Sequence, residues 1–124
     1  MILRAEIGYK PKLTFAELEA MSTYDLIRDE RDFRIVIEER TFFHEPLFPI
    51  LELVKYCQQW RKNANSSFVY NTIESEENPL LSFLPQNDMW RVYSVWQKFE
   101  CETEFSFAEV QAFIENIVNH VIKP

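Results

Sequence analysis

The stretch FRIVIEERTFFHEPLFPILELVKYCQQW, residues 33–60, changes its hydrophobic period midway, and both halves of a mixed fold can be read from it. Phe33, Ile35 and Ile37 alternate with Arg34, Val36 and Glu38, a period of two that suits a strand with one clearly apolar face. Glu39-Arg40 reads as a turn into a second short strand, Thr41-Phe42-Phe43. His44-Glu45-Pro46 then opens a helix, with Pro46 and Pro49 in a first turn that has no use for their missing N–H groups. Ile50, Leu53, Val54, Cys57 and Trp60 recur at helical spacing, and Arg61 and Lys62 suit the negative end of the helix dipole.

Upstream, Leu3, Ala5, Ile7 and Tyr9 alternate with Arg4, Glu6 and Gly8, which predicts a half-buried first strand stopped by Pro11. Thr14 followed by Glu17 forms a capping box, and Leu13 with Leu18 a hydrophobic staple, so a short helix starts there and runs to about residue 21 or 22. The device returns near the other end: Ser106 and Glu109 form the box, Phe105 and Val110 the staple. The segments LTFAELEAM and FSFAEVQAF look alike, but the residues after them diverge at once, so they mark two helix starts rather than a repeat. The closing helix carries Val110, Phe113, Ile114, Ile117 and Val121 as one stripe. Between loop 63–67 and that helix lie three β-like runs, 68–73, 80–84 and 89–99. In the last, Trp90, Val92 and Trp96 share one face and Tyr93, Val95 and Phe99 the other, as in a strand covered on both sides. The order β-α-β-β-α-β-β-β-α predicts an α+β fold over residues 1–124 as a single domain. Its mainly antiparallel sheet has five to six strands, packed by two longer helices and one short one.

Composition narrows the function. A single glycine, Gly8, leaves no material for phosphate-cradling loops, nucleophile elbows or dinucleotide fingerprints. Thirteen Lys and Arg against twenty Asp and Glu give a net charge of −7, which repels nucleic-acid backbones and anionic membranes and attracts basic proteins. The two cysteines, Cys57 and Cys101, lack Cys-x-x-Cys spacing and read as free thiols of a cytoplasmic protein, Cys101 the more exposed of the two. The first residues lack a signal peptide's apolar stretch.

Candidate chemistry is sparse. His44 and His120 read as a local hydrogen-bonding group and a helix C-terminal charge, and no His or Cys cluster suggests zinc or any cofactor. An enzyme would draw on Glu74, Glu76 or Asp88 with His44. Two acidic sets stand out as docking candidates for a basic partner: Glu74, Glu76 and Glu77 with Asp88, and Glu100, Glu102 and Glu104, which point one way if that stretch is extended. Most aromatics read as core, while Phe42, Phe43 and Phe48, flanking prolines at a junction, are candidates for a partly exposed interface.

The stretch 33–60, followed by Phe68-Val69-Tyr70, Glu76-Glu77-Asn78-Pro79-Leu80-Leu81-Ser82-Phe83 and Trp90-Arg91-Val92-Tyr93-Ser94, resembles a group of small bacterial proteins of unknown function. Many of these look like immunity proteins of toxin systems: short, acidic, α+β, and closed by a capped helix after an aromatic-rich strand. The resemblance covers most of the chain and rests on structural motifs, and it implies an interaction role with no active site. The expectation is a non-enzymatic protein-binding module without metal or cofactor, possessing an acidic face for a basic partner in the manner of an immunity-type inhibitor. The alternative is a homo-oligomeric structural or regulatory domain, joined by an edge strand or by the aromatics of residues 42–48.

Overall fold

A computed structural model describes residues 2–64 and 66–124. Its elements run β1 (Leu3–Ile7), α1 (Phe15–Glu19), α2 (Thr23–Arg28), β2 (Glu30–Ile37), β3 (Arg40–Pro49), α3 (Ile50–Lys62), β4 (Phe68–Tyr70), β5 (Leu81–Gln86), β6 (Met89–Tyr93) and α4 (Phe107–Val121). The α+β class and the order of elements are as read from the sequence, with α2 added. The expected single sheet is instead two antiparallel three-stranded sheets, β1-β2-β3 and β4-β5-β6. The long helices α3 and α4 pack on each other and reach both sheets, α3 through β2 and β4, α4 through β1 and β6. Their apolar stripes therefore serve two sheets at once, which a single sheet does not require. No described helix is long and apolar enough to cross a membrane.

Both capping boxes form: the Thr14 hydroxyl accepts from the Glu17 N–H at 3.0 Å and that of Ser106 from the Glu109 N–H at 3.1 Å, and each glutamate accepts from its cap's N–H in return. The added helix α2 begins the same way, with the Ser22 hydroxyl accepting from the Asp25 N–H at 3.2 Å. The chain closes on itself where Leu13 bridges Ile122: the Leu13 N–H donates to Val121 O at 2.9 Å and the Lys123 N–H to Leu13 O at 2.7 Å.

Pro46 and Pro49 do not open a helix. They lie in β3, whose pairing with β2 slips between Arg31 and Phe33, so that an extra β3 residue is accommodated there. A bulged edge strand tolerates proline because its outward N–H groups need no partner. The helix follows directly, with Pro49 at its cap position. The run 89–99 is likewise shorter than its pattern suggests. Ser94 ends β6 by local bonding, its N–H donating to Gln97 Oε1 and its hydroxyl accepting from the Trp96 N–H, so Trp96 and Phe99 leave the strand.

The hairpin turns are Glu38-Glu39 and Asn87-Asp88, all four residues having positive φ between 50° and 66°. Two-residue hairpins need such angles, and glycine usually supplies them. Gly8 is used otherwise: its backbone lies so close to β2 that an added Cβ would sit 3.3 Å from Asp32 N. Asp88→Gly creates an Asn-Gly turn and is expected to stabilise the fold by about 0.5–1 kcal/mol in urea unfolding.

Arg31 is buried in the sheet, and its guanidinium meets Asp29 in a forked pair of 2.8 and 3.2 Å bonds. Partial burial pushes the Asp29 carboxyl up, but the bonds and charge of Arg31, helped by Lys10, bring it below its ordinary range. The stabilisation is thus present at neutral pH and lost as pH falls through that depressed range. Asp29→Asn strands a buried cation and is expected to cost roughly 2 kcal/mol, less than for a fully buried pair because Asp29 keeps some solvent. The difference from wild type closes in acid, and Arg31→Met costs less than Asp29→Asn.

Candidate interaction surface

The loop between β4 and β5, residues 71–80, is ordered by one side chain. Asn78 Oδ1 accepts from the Thr72 N–H at 2.9 Å, while its amide nitrogen donates to Thr72 O at 3.2 Å and Ser75 O at 2.8 Å. Two further local bonds, the Glu74 N–H to Thr72 Oγ1 and the Glu77 N–H to Ser75 Oγ, complete the loop. These bonds satisfy backbone groups that no strand pairs, so the loop has a defined shape. Glu74, Glu76 and Glu77 project from it exposed to solvent.

Beside the loop lies a cleft of about 220 Å³ between β3 and the segment after β6, lined by Glu45, Leu47, Phe48, Thr72, Glu74 and Trp96 among others. Leu47 and Ile73 are each 64% exposed and Trp96 37%, so apolar groups stand among the carboxylates. Partial burial pushes the Glu74 carboxyl above its ordinary range, and the negative charges of Glu30 and Glu52 add to this. That crowding of like charge makes the surface favourable to a cation.

Glu52 was not singled out in the sequence because it sits inside the apolar stripe of α3. It is buried, accepts the Tyr70 hydroxyl proton in a 2.5 Å hydrogen bond, and lies 3.5 Å from the Ile73 N–H. Burial raises the Tyr70 phenol far above its usual range, and the Glu52 bond and charge raise it further, so it remains a donor. The pair fastens α3 to β4 directly under the loop. The signal available in the sequence was a carboxylate flanked by Leu51 and Leu53 on a buried face, which demands a partner.

The second acidic set is brought to the β2–β3 turn. Glu100, Glu102 and Glu104 are exposed, while Cys101 between them is buried and Thr103 half-buried. Glu100 and Glu102 line a cleft with Glu38, Arg40 and Phe99, where the Thr103 hydroxyl donates to Glu38 at 3.2 Å and the Arg40 guanidinium lies 3.9 Å over the Phe99 ring. Asp88 joins neither set. It lies at the far end of β5 from loop 71–80, roughly 17 Å along the strand.

Several expectations are corrected by packing. Phe42, Phe43 and Phe48 are core side chains, each at most 1% exposed, because β3 turns them inward against Phe33, Tyr70 and Phe99. Cys101 is buried too, at 4% exposure, and Cys57 is buried in α3 with its thiol pushed well above the usual range by desolvation. His44 Nε2 lies 2.7 Å from Asp32 Oδ1, pairing across β2 and β3 rather than with Glu74, Glu76 or Asp88, and His120 is exposed in the last turn of α4. Among the described residues no group of three or more His, Cys, Asp or Glu side chains is placed to hold a metal ion.

A family model described as a domain of unknown function, DUF7878, matches residues 9–123, and the chain belongs to that family. No curated protein and no solved structure matches it.

Tyr70→Phe removes the main donor from the buried Glu52 carboxylate and is expected to cost about 1–3 kcal/mol in denaturant unfolding. Because the folded-state phenol is raised, the Tyr70 contribution to stability is full below pH about 10 and declines above it as the unfolded chain ionises first. The variant lacks that part of the alkaline slope.

Proposed function

We propose that this DUF7878 domain is a non-enzymatic protein-binding module that engages a basic partner through loop 71–80 and the adjoining cleft. The observation that carries this reading is the combination of a bonded, shaped loop with three carboxylates and three exposed apolar side chains, Leu47, Ile73 and Trp96. Apolar anchors within a charged rim are what protein interfaces use for affinity and orientation respectively. A surface already ordered before binding also loses less entropy on association. The net charge of −7 adds long-range attraction for a cationic surface.

The non-enzymatic part is supported by how the reactive groups are engaged. Both thiols are buried, Tyr70 is bonded to Glu52, and His44 is paired with Asp32. The finer reading is an immunity-type inhibitor, a small acidic chain that neutralises a basic toxin by covering it. Its support is the charge, the form of the chain and the resemblance of residues 33–60 and the strands after them to such bacterial proteins.

The experiment is affinity capture from the source cells with the purified chain at increasing salt. A cationic protein is expected to be retained by wild type, to be released as salt rises, and to bind at least about tenfold more weakly to a variant carrying Glu74→Lys and Glu76→Lys. Asp88→Lys, remote from the loop, serves as the control and leaves binding within about twofold. Retention indifferent to both salt and charge reversal removes the reading.

A further inference from the structure

A second cavity, of about 300 Å³, borders loop 71–80. It is lined by Thr23 and Leu26 of α2, by Glu52, Tyr56 and Gln59 of α3, and by Ile73 of the loop. Glu52 is the carboxylate among them, and it is only 6% exposed.

The sequence explains why this carboxylate is left to the cavity. Glu17, Glu52 and Glu109 each stand three residues after a helix N-cap. Glu17 and Glu109 accept from the N–H groups of Thr14 and Ser106. The N-cap of α3 is Pro49, which has no N–H, so Glu52 cannot close a capping box. Neutral donors alone meet its charge. The Tyr70 hydroxyl occupies Oε1 at 2.5 Å, while Oε2 has only the Ile73 N–H at 3.5 Å, too long for a strong bond. Among the described residues no Lys, Arg or His forms an ion pair with it. A buried carboxylate is ordinarily balanced by a cation, and here the second oxygen still lacks one.

We propose that the cavity receives the ammonium end of a lysine side chain, which bonds Glu52 Oε2. Leu26, Tyr56 and Ile73 offer apolar contact to its stem, and the Thr23 hydroxyl and Gln59 amide oxygen are further acceptors. With Oε1 taken by Tyr70, one oxygen remains, which suits a compact ammonium better than a two-pronged guanidinium. Lys55 also lines the cavity without pairing with Glu52, and its like charge opposes an incoming ammonium. The site gives the basic partner an anchor beside the loop, and for the source of the lysine it rests on the proposed function.

Titration of the isotope-labelled chain with n-butylammonium, followed by amide chemical shifts, tests the site without any partner. Its failure therefore leaves the reading of loop 71–80 standing. Saturable shifts are expected at Thr23, Tyr56, Gln59 and Ile73, with n-butanol, which lacks the charge, binding at least about tenfold more weakly. Glu52→Gln keeps its volume and an oxygen for Tyr70, and is expected to weaken the amine at least about tenfold. Lys55→Gln removes the opposing charge and tightens it about threefold; half-buried Lys55 lies outside the core, so this arm stands even if Glu52→Gln does not fold. In affinity capture, Glu52→Gln weakens retention of the basic partner at least about tenfold. Shifts that do not saturate, an amine indifferent to either variant, or a partner held undiminished by Glu52→Gln overturn the proposal.

Discussion

Tyr70 is the side chain on which the two sheets and the helical layer converge. Its ring lies 5.9 Å from Phe48 of β3 and 5.0 Å from Tyr56 of α3, and its hydroxyl holds Glu52 of α3. Phe48 in turn packs on Phe33 and Phe43 at 4.7 and 5.6 Å, so an aromatic chain runs from the middle of the first sheet to the edge of the second. Tilted and edge-to-face rings of this kind add to the stabilisation that burial of their area already supplies. The buried carboxylate adds specificity of a different sort: it is satisfied in only one arrangement of α3 against β4, since any slip leaves a charge without a donor.

This anchoring determines what the outer surface presents. Loop 71–80 leaves β4 immediately after Tyr70 and bonds back to itself through Asn78, so its carboxylates stand on a fixed base. Partial burial, then the charge of Glu30 and last that of Glu52, push the Glu74 carboxyl upward. At the other acidic cleft a cation–aromatic stack of Arg40 on Phe99 stands among Glu38, Glu100 and Glu102, so that surface is mixed in sign.

Legibility followed the range of the forces involved. The capping boxes at Thr14 and Ser106 and the stripes of α3 and α4 depend on neighbours a few residues away, and all appear as read. The Ser22-x-x-Asp25 cap was equally local and available, and it marks the start of α2. What escaped were decisions made by distant partners: the β2–β3 slip that places two prolines in a strand, and the division of six strands into two sheets, which depends on helices covering both. The site divides in the same way. The charges of Glu100, Glu102 and Glu104 already implied that this stretch is exposed, as it is, whereas the burial of Phe42, Phe43 and Phe48 and the role of Glu52 required knowing what lies across the core.

The bridge between Leu13 and Ile122 has a bearing on how the chain is made. β1, at the very start, packs on α4, and the strap that fixes Leu13 is formed by the residues on either side of Ile122. During synthesis from the N-terminus, the first sheet emerges long before the helix that covers it. Its apolar face must wait for α4 to emerge as well. A chain interrupted before α4 therefore leaves Leu3 and its neighbours without the helix that covers them.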